Sequence, residues 1–159
     1  MLRKLRVYVD TSVIGGCLDP EFAEASWELV ESARSGKVIL LVSDVLVEEL
    51  RRAPSEVKDV LEELPDYCLE RVFSTEESSR LRDCYLSAGI VGPSSSSDAH
   101  HVALATLAAA DLMVSWNFKH IVQYAKIRGF SGVNLIEGYS PIEIRSPREV
   151  VSDAEDENI

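Results

Sequence analysis

The sequence predicts a single α/β domain over residues 1–151, built around a mostly parallel sheet. Segments typical of strands alternate with segments typical of helices, which is the pattern of a sheet whose strands are joined by helices. Two of the strand candidates, "KVILLVS" and "DLMVS", are continuously apolar, as expected of parallel strands that are buried on both faces. With 159 residues, 46% of them hydrophobic, the chain is long enough to bury a substantial core.

The first elements are a strand, a helix and a second strand. Residues 5–9 are predicted to form the first strand, because Val7, Tyr8 and Val9 favour extended backbone. Residues 21–35 are predicted to form a helix that ends at Gly36. Its apolar positions fall on one face, and they are Phe22, Ala25, Leu29 and Ala33. The run "KVILLVS" then supplies the second strand.

Two helices, a short strand and a third helix follow. The segment "DVLVEELRRA" is predicted to be a helix that Pro54 terminates, and Ser55 is predicted to cap the helix "EVKDVLEEL", which stops at Pro65. The segment "LERVF" is a short strand candidate. Thr75 is predicted to cap the helix "EESSRLRDCYLSA", which ends at Gly89.

The last third of the chain continues the alternation. The Ala-rich segment "DAHHVALATLAAA" is apolar almost all round, which predicts a buried helix that opens with Asp98. We then expect the strand "DLMVS", the helix "FKHIVQYAKI" and the strand "GVNLI". The segment "SPREVV" predicts one more helix with a capping box, in which Ser146 is the cap, Pro147 the first residue and Glu149 the third.

The charge balance restricts the classes of function. With 16 basic and 27 acidic residues the net charge is −11, and part of it lies in the acidic segment 152–159, "SDAEDENI", which is predicted to be a disordered tail. A protein that coats nucleic acid by charge alone needs clustered Lys and Arg, so this class is disfavoured. An enzyme that holds a phosphodiester through a metal ion, or a protein with a basic partner, stays compatible with the charge.

Cysteine usage and hydropathy indicate a cytoplasmic protein. Cys17, Cys68 and Cys84 are far apart and odd in number, as expected of free thiols in a reducing compartment. The sequence contains neither an apolar run long enough to span a bilayer nor the features of a signal peptide. We therefore expect no membrane association.

Polar residues cluster just after the predicted strands, and in parallel sheets ligands bind outside the carboxyl ends of the strands. These residues are Asp10, Thr11, Ser12, Ser43, Asp44, Glu48, Glu49, Asp98, Ser115 and Asn117. Several carboxylates at one edge would repel one another and resist ionisation. A divalent cation resolves this conflict, and Mg²⁺ or Mn²⁺ prefers such oxygen ligands. The pattern therefore predicts a metal site able to activate water for displacement at phosphorus.

Each candidate ligand also has a purely structural explanation. Asp10 and Asp98 are equally placed to be helix caps, and Asp44 to be a charge in the first turn of a helix. Glu48 and Glu49 are equally placed to be solvated helix positions. The metal hypothesis depends on the convergence of three acids at one edge, which depends in turn on the strand order.

The histidines and known motifs exclude other chemistries. His100 and His101 are adjacent and therefore lack the spacing of two zinc ligands on a helix, and no cysteine pair lies nearby. A hydrogen bond from His101 to Asp98 and a packing role in the core are both open, and the role of His120 is open too. The chain has no P-loop lysine, no GxSxG nucleophile elbow and no second Asp two positions after Asp10.

Four segments together resemble the PIN domain family, in particular VapC-type toxin ribonucleases. They are "YVDTSVIGG", "VSDVLVEEL", "DAHHVALA" and "ADLMVSWNFKHI", and the resemblance runs from Val7 to Val151. It implies a three-layer α/β/α PIN-like fold, and it favours Glu49 over Glu48 as the second acid. The departure lies in the last segment, where many relatives have an aspartate and this chain has Asn117.

The resemblance implies a Mg²⁺- or Mn²⁺-dependent endoribonuclease. Asp10, Glu49 and Asp98 would hold the cation, and Asn117 would act as a fourth ligand or position a water. Ser12 and Ser115 would orient carboxylates by hydrogen bonds.

The resemblance also implies partners, namely an RNA substrate, a homodimer partner and an antitoxin whose segment covers the site. The alternative is a PIN-like module of weak or lost activity that binds RNA or a protein. The replacement of an acid by Asn117 and the acidic surface favour that alternative.

Overall fold

A five-stranded, all-parallel sheet forms the centre of the computed structural model, which describes residues 4–150. The predicted tail at 152–159 lies outside the described residues. The strands are β1 (Leu5–Val9), β2 (Val38–Ser43), β3 (Leu69–Val72), β4 (Leu112–Val114) and β5 (Ile144–Arg145). Their order is β3-β2-β1-β4-β5, so β1 is the central strand, and β2 and β4 flank it.

Helices connect the strands in the alternating manner that the sequence predicts. They are α1 (Thr11–Gly16), α2 (Ala23–Arg34), α3 (Asp44–Leu50), α4 (Ser55–Glu62), α5 (Glu76–Ser87), α6 (Ser96–Leu107) and α7 (Tyr124–Ile136). Short 3₁₀ turns occupy Asp66–Cys68 and Pro93–Ser95, and a further helix begins at Pro147. No helix within residues 4–150 is both long and apolar enough to cross a membrane.

The sheet separates two apolar cores, which makes the fold a three-layer α/β/α sandwich. Alternate residues of a strand point to opposite faces, so Val7 and Val9 contribute to one core while Tyr8 contributes to the other. The first core packs against α1 to α4, and the second packs against α5 to α7. Residues from all three central strands are almost completely buried, as continuous apolar runs predict.

Most of the predicted elements are confirmed, and so are two of the predicted caps. Thr75 caps α5 in a capping box in which Thr75 and Ser78 exchange side chain to backbone hydrogen bonds. The predicted box at the last helix is also present, since the Ser146 N–H donates to the Glu149 carboxylate at 3.1 Å. Gly36, with φ of +83°, terminates the turn after α2. Cys17, Cys68 and Cys84 are free, as expected.

The predictions for two elements after β4 are wrong. Residues 118–123 form turns rather than the start of a helix, and "GVNLI" is not a strand but the last part of α7. Packing against α5 decides this, because Phe130 packs edge-on against Tyr85, whose hydroxyl donates to Asn134 at 2.5 Å. The strand beside β4 is the two-residue β5, which had no clear signal in the sequence.

The predicted N-cap residues of α4 and α6 are also wrong. Helix α4 has Pro54 at its N-cap position, and Ser55 is its first residue, since the preceding proline already fixes an extended backbone there. Helix α6 begins at Ser96, because the 3₁₀ turn at Pro93–Ser95 leads directly into it. Asp98 therefore lies in the first turn of α6, where a carboxylate is favoured, and is not the cap.

Candidate functional site

The candidate site lies at the carboxyl edge of the sheet, where the strand order changes direction. Asp10 follows β1, Ser115 follows β4 and Ser43 is the last residue of β2. From β1 the chain proceeds to β2 and β3 on one side, and later to β4 and β5 on the other. Such a switch point leaves a crevice between helices that diverge, which is the usual ligand position in open α/β sheets.

Asp10 is a buried carboxylate held by two serine hydroxyls. Its side chain accepts hydrogen bonds from Ser12 Oγ at 2.5 Å and from Ser115 Oγ at 2.6 Å. Asp10 occupies the N-cap position of α1, but its side chain makes no capping hydrogen bond. The capping explanation for Asp10 therefore fails, and the carboxylate is directed to the edge of the sheet instead.

The surroundings of Asp10 disfavour its charge. The side chain is almost fully buried, and burial raises the pKa of the carboxyl, with the nearby Asp98 raising it further. Interactions with His101, Ser115 and Ser12 oppose this shift without cancelling it. A bound cation at this position would remove the penalty.

Glu49 is the acid that helix α3 directs into the site. Its Oε1 accepts a hydrogen bond from Thr11 Oγ1 at 3.0 Å and lies 2.5 Å from His101 Nε2. Burial raises the pKa of Glu49, but the hydrogen bond and charge of His101, with Thr11 and Ser97, outweigh it, so the pKa is lowered. Glu48 points away and pairs with Arg51 at the surface.

Asp98 is the third acid, one turn before His101 on α6. It is partly buried, and burial raises the pKa of its carboxyl, as does the charge of Glu49. The charges of His101 and His120 and a hydrogen bond with Asn117 act in the other direction, but the pKa of Asp98 stays raised overall. Asp98 is therefore electrostatically coupled to Glu49, as Asp10 is to Asp98, and the three acids share one neighbourhood.

Asn117 is oriented toward Asp98 by its own backbone turn. The Asn117 Oδ1 atom accepts the backbone N–H of His120 at 2.9 Å, which leaves the amide N–H₂ group to donate to the Asp98 carboxylate. The backbone N–H of Asn117 donates in turn to Ser115 Oγ at 2.9 Å. In this arrangement Asn117 orients an acid rather than offering a free carbonyl oxygen.

Asp44 is not part of the site. Its carboxylate accepts hydrogen bonds from the backbone N–H and the hydroxyl of Ser74, which ties the start of α3 to the segment after β3. Burial raises the pKa of Asp44, but these bonds, with those from Val45 and its own backbone, lower it overall. Asp44 thus has the structural role of a first-turn charge.

His101 is the residue whose role the sequence did not reveal. The imidazole is 1% exposed and contacts Glu49, not Asp98, while its Nδ1 atom lies 2.7 Å from the Tyr8 hydroxyl. A tyrosine inside a buried strand needs a hydrogen-bond partner, and that was the available signal. The neighbouring His100 faces the other way and contacts Ser78 Oγ at 2.9 Å.

The donor set fits a hard divalent cation in kind, since Asp10, Glu49 and Asp98 all provide carboxylate oxygens. Their present arrangement is not a formed coordination shell. Within the described part of the chain, no group of three or more His, Cys, Asp or Glu side chains is arranged to hold a metal ion. The carboxylates instead engage Ser12, Ser115, Thr11 and His101, so cation binding requires adjustment of side chains.

A groove of about 560 Å³ lies beside Glu49, on the β2–β3 side of the sheet. Its lining includes Glu49, Ser97, Arg71 and Phe73. Phe73 is 67% exposed, so its ring is open to solvent. The groove therefore combines an apolar surface, a cationic side chain and direct access to a carboxylate.

Comparison with known proteins supports the fold and leaves the family open. No family model and no curated protein matches the sequence. One similar solved structure is a chain of the VapBC2 complex from Rickettsia felis bound to a DNA fragment from their promoter. The TM-score is 0.56 at 11% identity, and the match covers 89% of this chain and 98% of that one. The molecule thus has a three-layer, PIN-like α/β/α fold, and the likeness extends to the fold alone.

Proposed function

We propose that this protein is a metal-dependent endoribonuclease of the PIN domain family and the VapC type, the toxin of a toxin–antitoxin pair. The observation that carries the proposal is the convergence of Asp10, Glu49 and Asp98 around one buried imidazole at the carboxyl edge of the sheet. The fold likeness to a chain of a VapBC complex supports it. The preferred cofactor is Mg²⁺ or Mn²⁺, because the ligands are carboxylates.

Each residue has a defined part in this proposal. Asp10, Glu49 and Asp98 hold the cation, which when bound supplies an activated water and neutralises charge at phosphorus. Ser12 and Ser115 keep the Asp10 carboxylate in place through their hydroxyl groups. Asn117 orients Asp98 through its amide and thereby replaces an acid as a supporting residue.

The groove beside Glu49 offers a path for a single-stranded RNA substrate. Phe73 provides an exposed ring on which a base can stack, and Arg71 provides a positive charge for a phosphate. Both lie outside the acid cluster, so they would contact nucleotides that flank the cleaved bond.

The proposal includes partners and a cellular location. A cognate antitoxin would cover the site, and an arginine from it would pair well with the carboxylates. A homodimer and a cytoplasmic location belong to the same proposal, the latter in keeping with the three free cysteines.

Calorimetry with Mn²⁺ tests the metal site. We expect the wild type to bind Mn²⁺ and the Asp10→Asn, Asp98→Asn double variant to bind at least about tenfold more weakly, since two of the three anionic ligands are lost. Cleavage of a single-stranded RNA should require Mn²⁺ or Mg²⁺, stop on addition of EDTA and fall by at least about 100-fold in the double variant.

The matched control is Asp59→Asn, which removes an exposed carboxylate on α4, on the opposite side of the sheet from Asp98. This variant should bind Mn²⁺ and cleave RNA as the wild type does. Equal Mn²⁺ affinity in the wild type and the double variant would remove the site assignment.

A second candidate function is a PIN-like module that binds RNA or a protein and does not cleave. Two observations favour it: Asn117 occupies an acid position, and the carboxylates of the described residues do not form a ready coordination shell. This candidate predicts no heat of Mn²⁺ binding and no cleavage, with RNA or partner binding unaffected by EDTA.

A further inference from the structure

A continuous line of polar contacts runs through the core to Glu49. The backbone N–H of Leu46 donates to Ser43 Oγ at 3.1 Å, and Ser43 Oγ lies 2.9 Å from the Tyr8 hydroxyl. That hydroxyl lies 2.7 Å from His101 Nδ1, and His101 Nε2 lies 2.5 Å from Glu49 Oε1. Tyr8, Ser43 and His101 are each no more than 1% exposed.

The acceptor at one end determines the direction of the key hydrogen bond. An ionised carboxylate only accepts hydrogen bonds. In the 2.5 Å contact His101 Nε2–H is therefore the donor and Glu49 Oε1 the acceptor. The Tyr8 hydroxyl, which can donate or accept, satisfies Nδ1 and keeps the ring in this orientation.

Burial makes the orientation of this ring specific. The imidazole of His101 sits in an edge-to-face contact with the Tyr8 ring, at 5.8 Å between centroids, and has no room for solvent to replace either partner. His101 also acts electrostatically on Asp10, Glu49 and Asp98 together. A packing role alone would require neither a polar ring nor two matched hydrogen bonds.

We infer that His101, held by Tyr8, is a positioning residue that fixes the Glu49 carboxylate for cation binding. The inference rests on the proposed function, since it assigns a role toward the metal of that site. A carboxylate has about four lone-pair sites, so Oε1 can accept from His101 and Thr11 while Glu49 still offers an oxygen to a cation. The His101 hydrogen bond fixes the orientation of that carboxylate.

Two amide substitutions of His101 separate this role from a structural one. In His101→Gln the side-chain amide nitrogen replaces Nε2 and can still donate to Glu49. In His101→Asn the amide nitrogen falls near the Nδ1 position, where it reaches Tyr8 but not Glu49. Both variants keep a polar group in the core, and their folding is compared by thermal unfolding.

We expect Mn²⁺ affinity, measured by calorimetry, to stay within about threefold of wild type in His101→Gln. In His101→Asn it should fall by about tenfold or more, the usual loss when a hydrogen bond to a metal ligand is removed. Equal or tighter Mn²⁺ binding by a folded His101→Asn variant would overturn the positioning role while leaving the metal site intact. A His101→Gln variant as weak as His101→Asn would overturn it too.

Nuclear magnetic resonance of the metal-free wild type provides a readout that does not depend on the cation. The buried Nε2 proton of His101 should give a slowly exchanging, far-downfield signal that shifts upfield in Glu49→Gln, where the acceptor is neutral. Absence of this signal would overturn the inference directly. If the signal is present but the wild type binds no Mn²⁺, the proposed function fails, and with it the role of His101 toward a metal.

Discussion

At the scale of single residues, two neighbouring acids of the candidate site have pKa values shifted in opposite directions. Asp10 contacts only the neutral hydroxyls of Ser12 and Ser115, and burial raises its pKa. Glu49 is only partly buried, and the hydrogen bond and charge of His101 outweigh its smaller desolvation, so its pKa is lowered. Depth of burial and the hydrogen-bond partner together decide the direction of the two shifts. Within the described chain no buried side-chain polar atom lacks a hydrogen bond, so each partner is accounted for.

Replacement of Asp10 by Asn should stabilise the metal-free protein at neutral pH. Because the pKa of Asp10 is raised in the folded state, the native protein binds more protons than the unfolded chain. The stability of the wild type therefore falls as pH rises from the ordinary Asp pKa of about 3.9 through the raised value. The Asn variant lacks this loss, and we expect a gain of roughly 0.5–2 kcal/mol in the free energy of unfolding at pH 7.

Urea unfolding in EDTA at pH 5 and pH 8 measures this effect, and the difference between variant and wild type should be larger at pH 8. Asp59→Asn, at an exposed position, should show no such change with pH. A lower stability of Asp10→Asn at both pH values would mean that the carboxylate stabilises the fold and is not held there at a cost.

Several site residues could be predicted from local sequence, and one could not. Asp10, Ser12 and Ser115 directly follow or adjoin the ends of apolar strands, so a parallel sheet brings them together. The contact of His101 with Glu49 joins positions 52 residues apart and depends on how α6 is rotated against β1. Spacing along the chain carries no information about that rotation.

At the scale of elements, α1 positions the site through a close contact with the segment after β4. A Cβ atom added at Gly16 would lie 2.6 Å from Ser26 Oγ and 2.8 Å from Trp116 Nε1, which are themselves hydrogen-bonded at 2.8 Å. Trp116 directly follows Ser115, and its backbone N–H donates to Ser12 Oγ at 2.9 Å. The approach of α1 to Trp116 thus sets the distance between the two serines that hold Asp10.

Gly16→Ala should destabilise the protein by about 1–3 kcal/mol, because the methyl group overpacks a rigid contact. Gly15 is the matched control, since a Cβ atom there meets nothing within 4 Å. Gly15→Ala should be neutral or stabilising by roughly 0.5–1 kcal/mol, the usual gain for this change within a helix. Chemical denaturation of the two variants measures both effects, and equal stability of the two would contradict the close-packing argument.

The segment "GVNLI", predicted as a strand but found in helix α7, shows that packing against neighbouring elements can decide between helix and strand. The segment "GVNLI" is short and apolar, and such a segment suits a buried strand or a buried helix equally well. Contacts with α5 decide that it is helical, because Tyr85 packs edge-on against the Phe130 ring and donates a hydrogen bond to the Asn134 side chain. The strand position beside β4 is then filled by β5 through the pairing of Met113 with Ile144.

At the scale of the whole molecule, a net charge of −11 is combined with a three-layer α/β/α fold. An acidic protein repels RNA over long distances, so any affinity for RNA must come from local groups. The acids at the sheet edge, without a cation, add to this repulsion. A bound divalent cation would offset two of these negative charges and would itself be a binding partner for a phosphate oxygen.

We expect RNA binding to require a divalent cation and to depend weakly on salt. Without a cation, a fluorescent single-stranded RNA should bind only weakly. With the cation, the affinity for this RNA should fall by less than about tenfold between 50 and 200 mM salt, because few phosphates are neutralised. Fluorescence anisotropy measures both quantities, with Ca²⁺ as the cation added for comparison to limit cleavage. Tight binding in EDTA with a steep salt dependence would instead indicate a basic RNA surface.

The sequence by itself determined the alternation of strands and helices and the set of acids and serines at the strand ends. These features are local, because hydrophobic periodicity and the polar residue after a strand are both written in neighbouring positions. Tertiary structure alone decided that α7 is helical through "GVNLI", that β5 completes the sheet, and that His101 contacts Glu49. Each of these depends on contacts between elements far apart in the chain, which only the packed molecule brings within hydrogen-bonding distance.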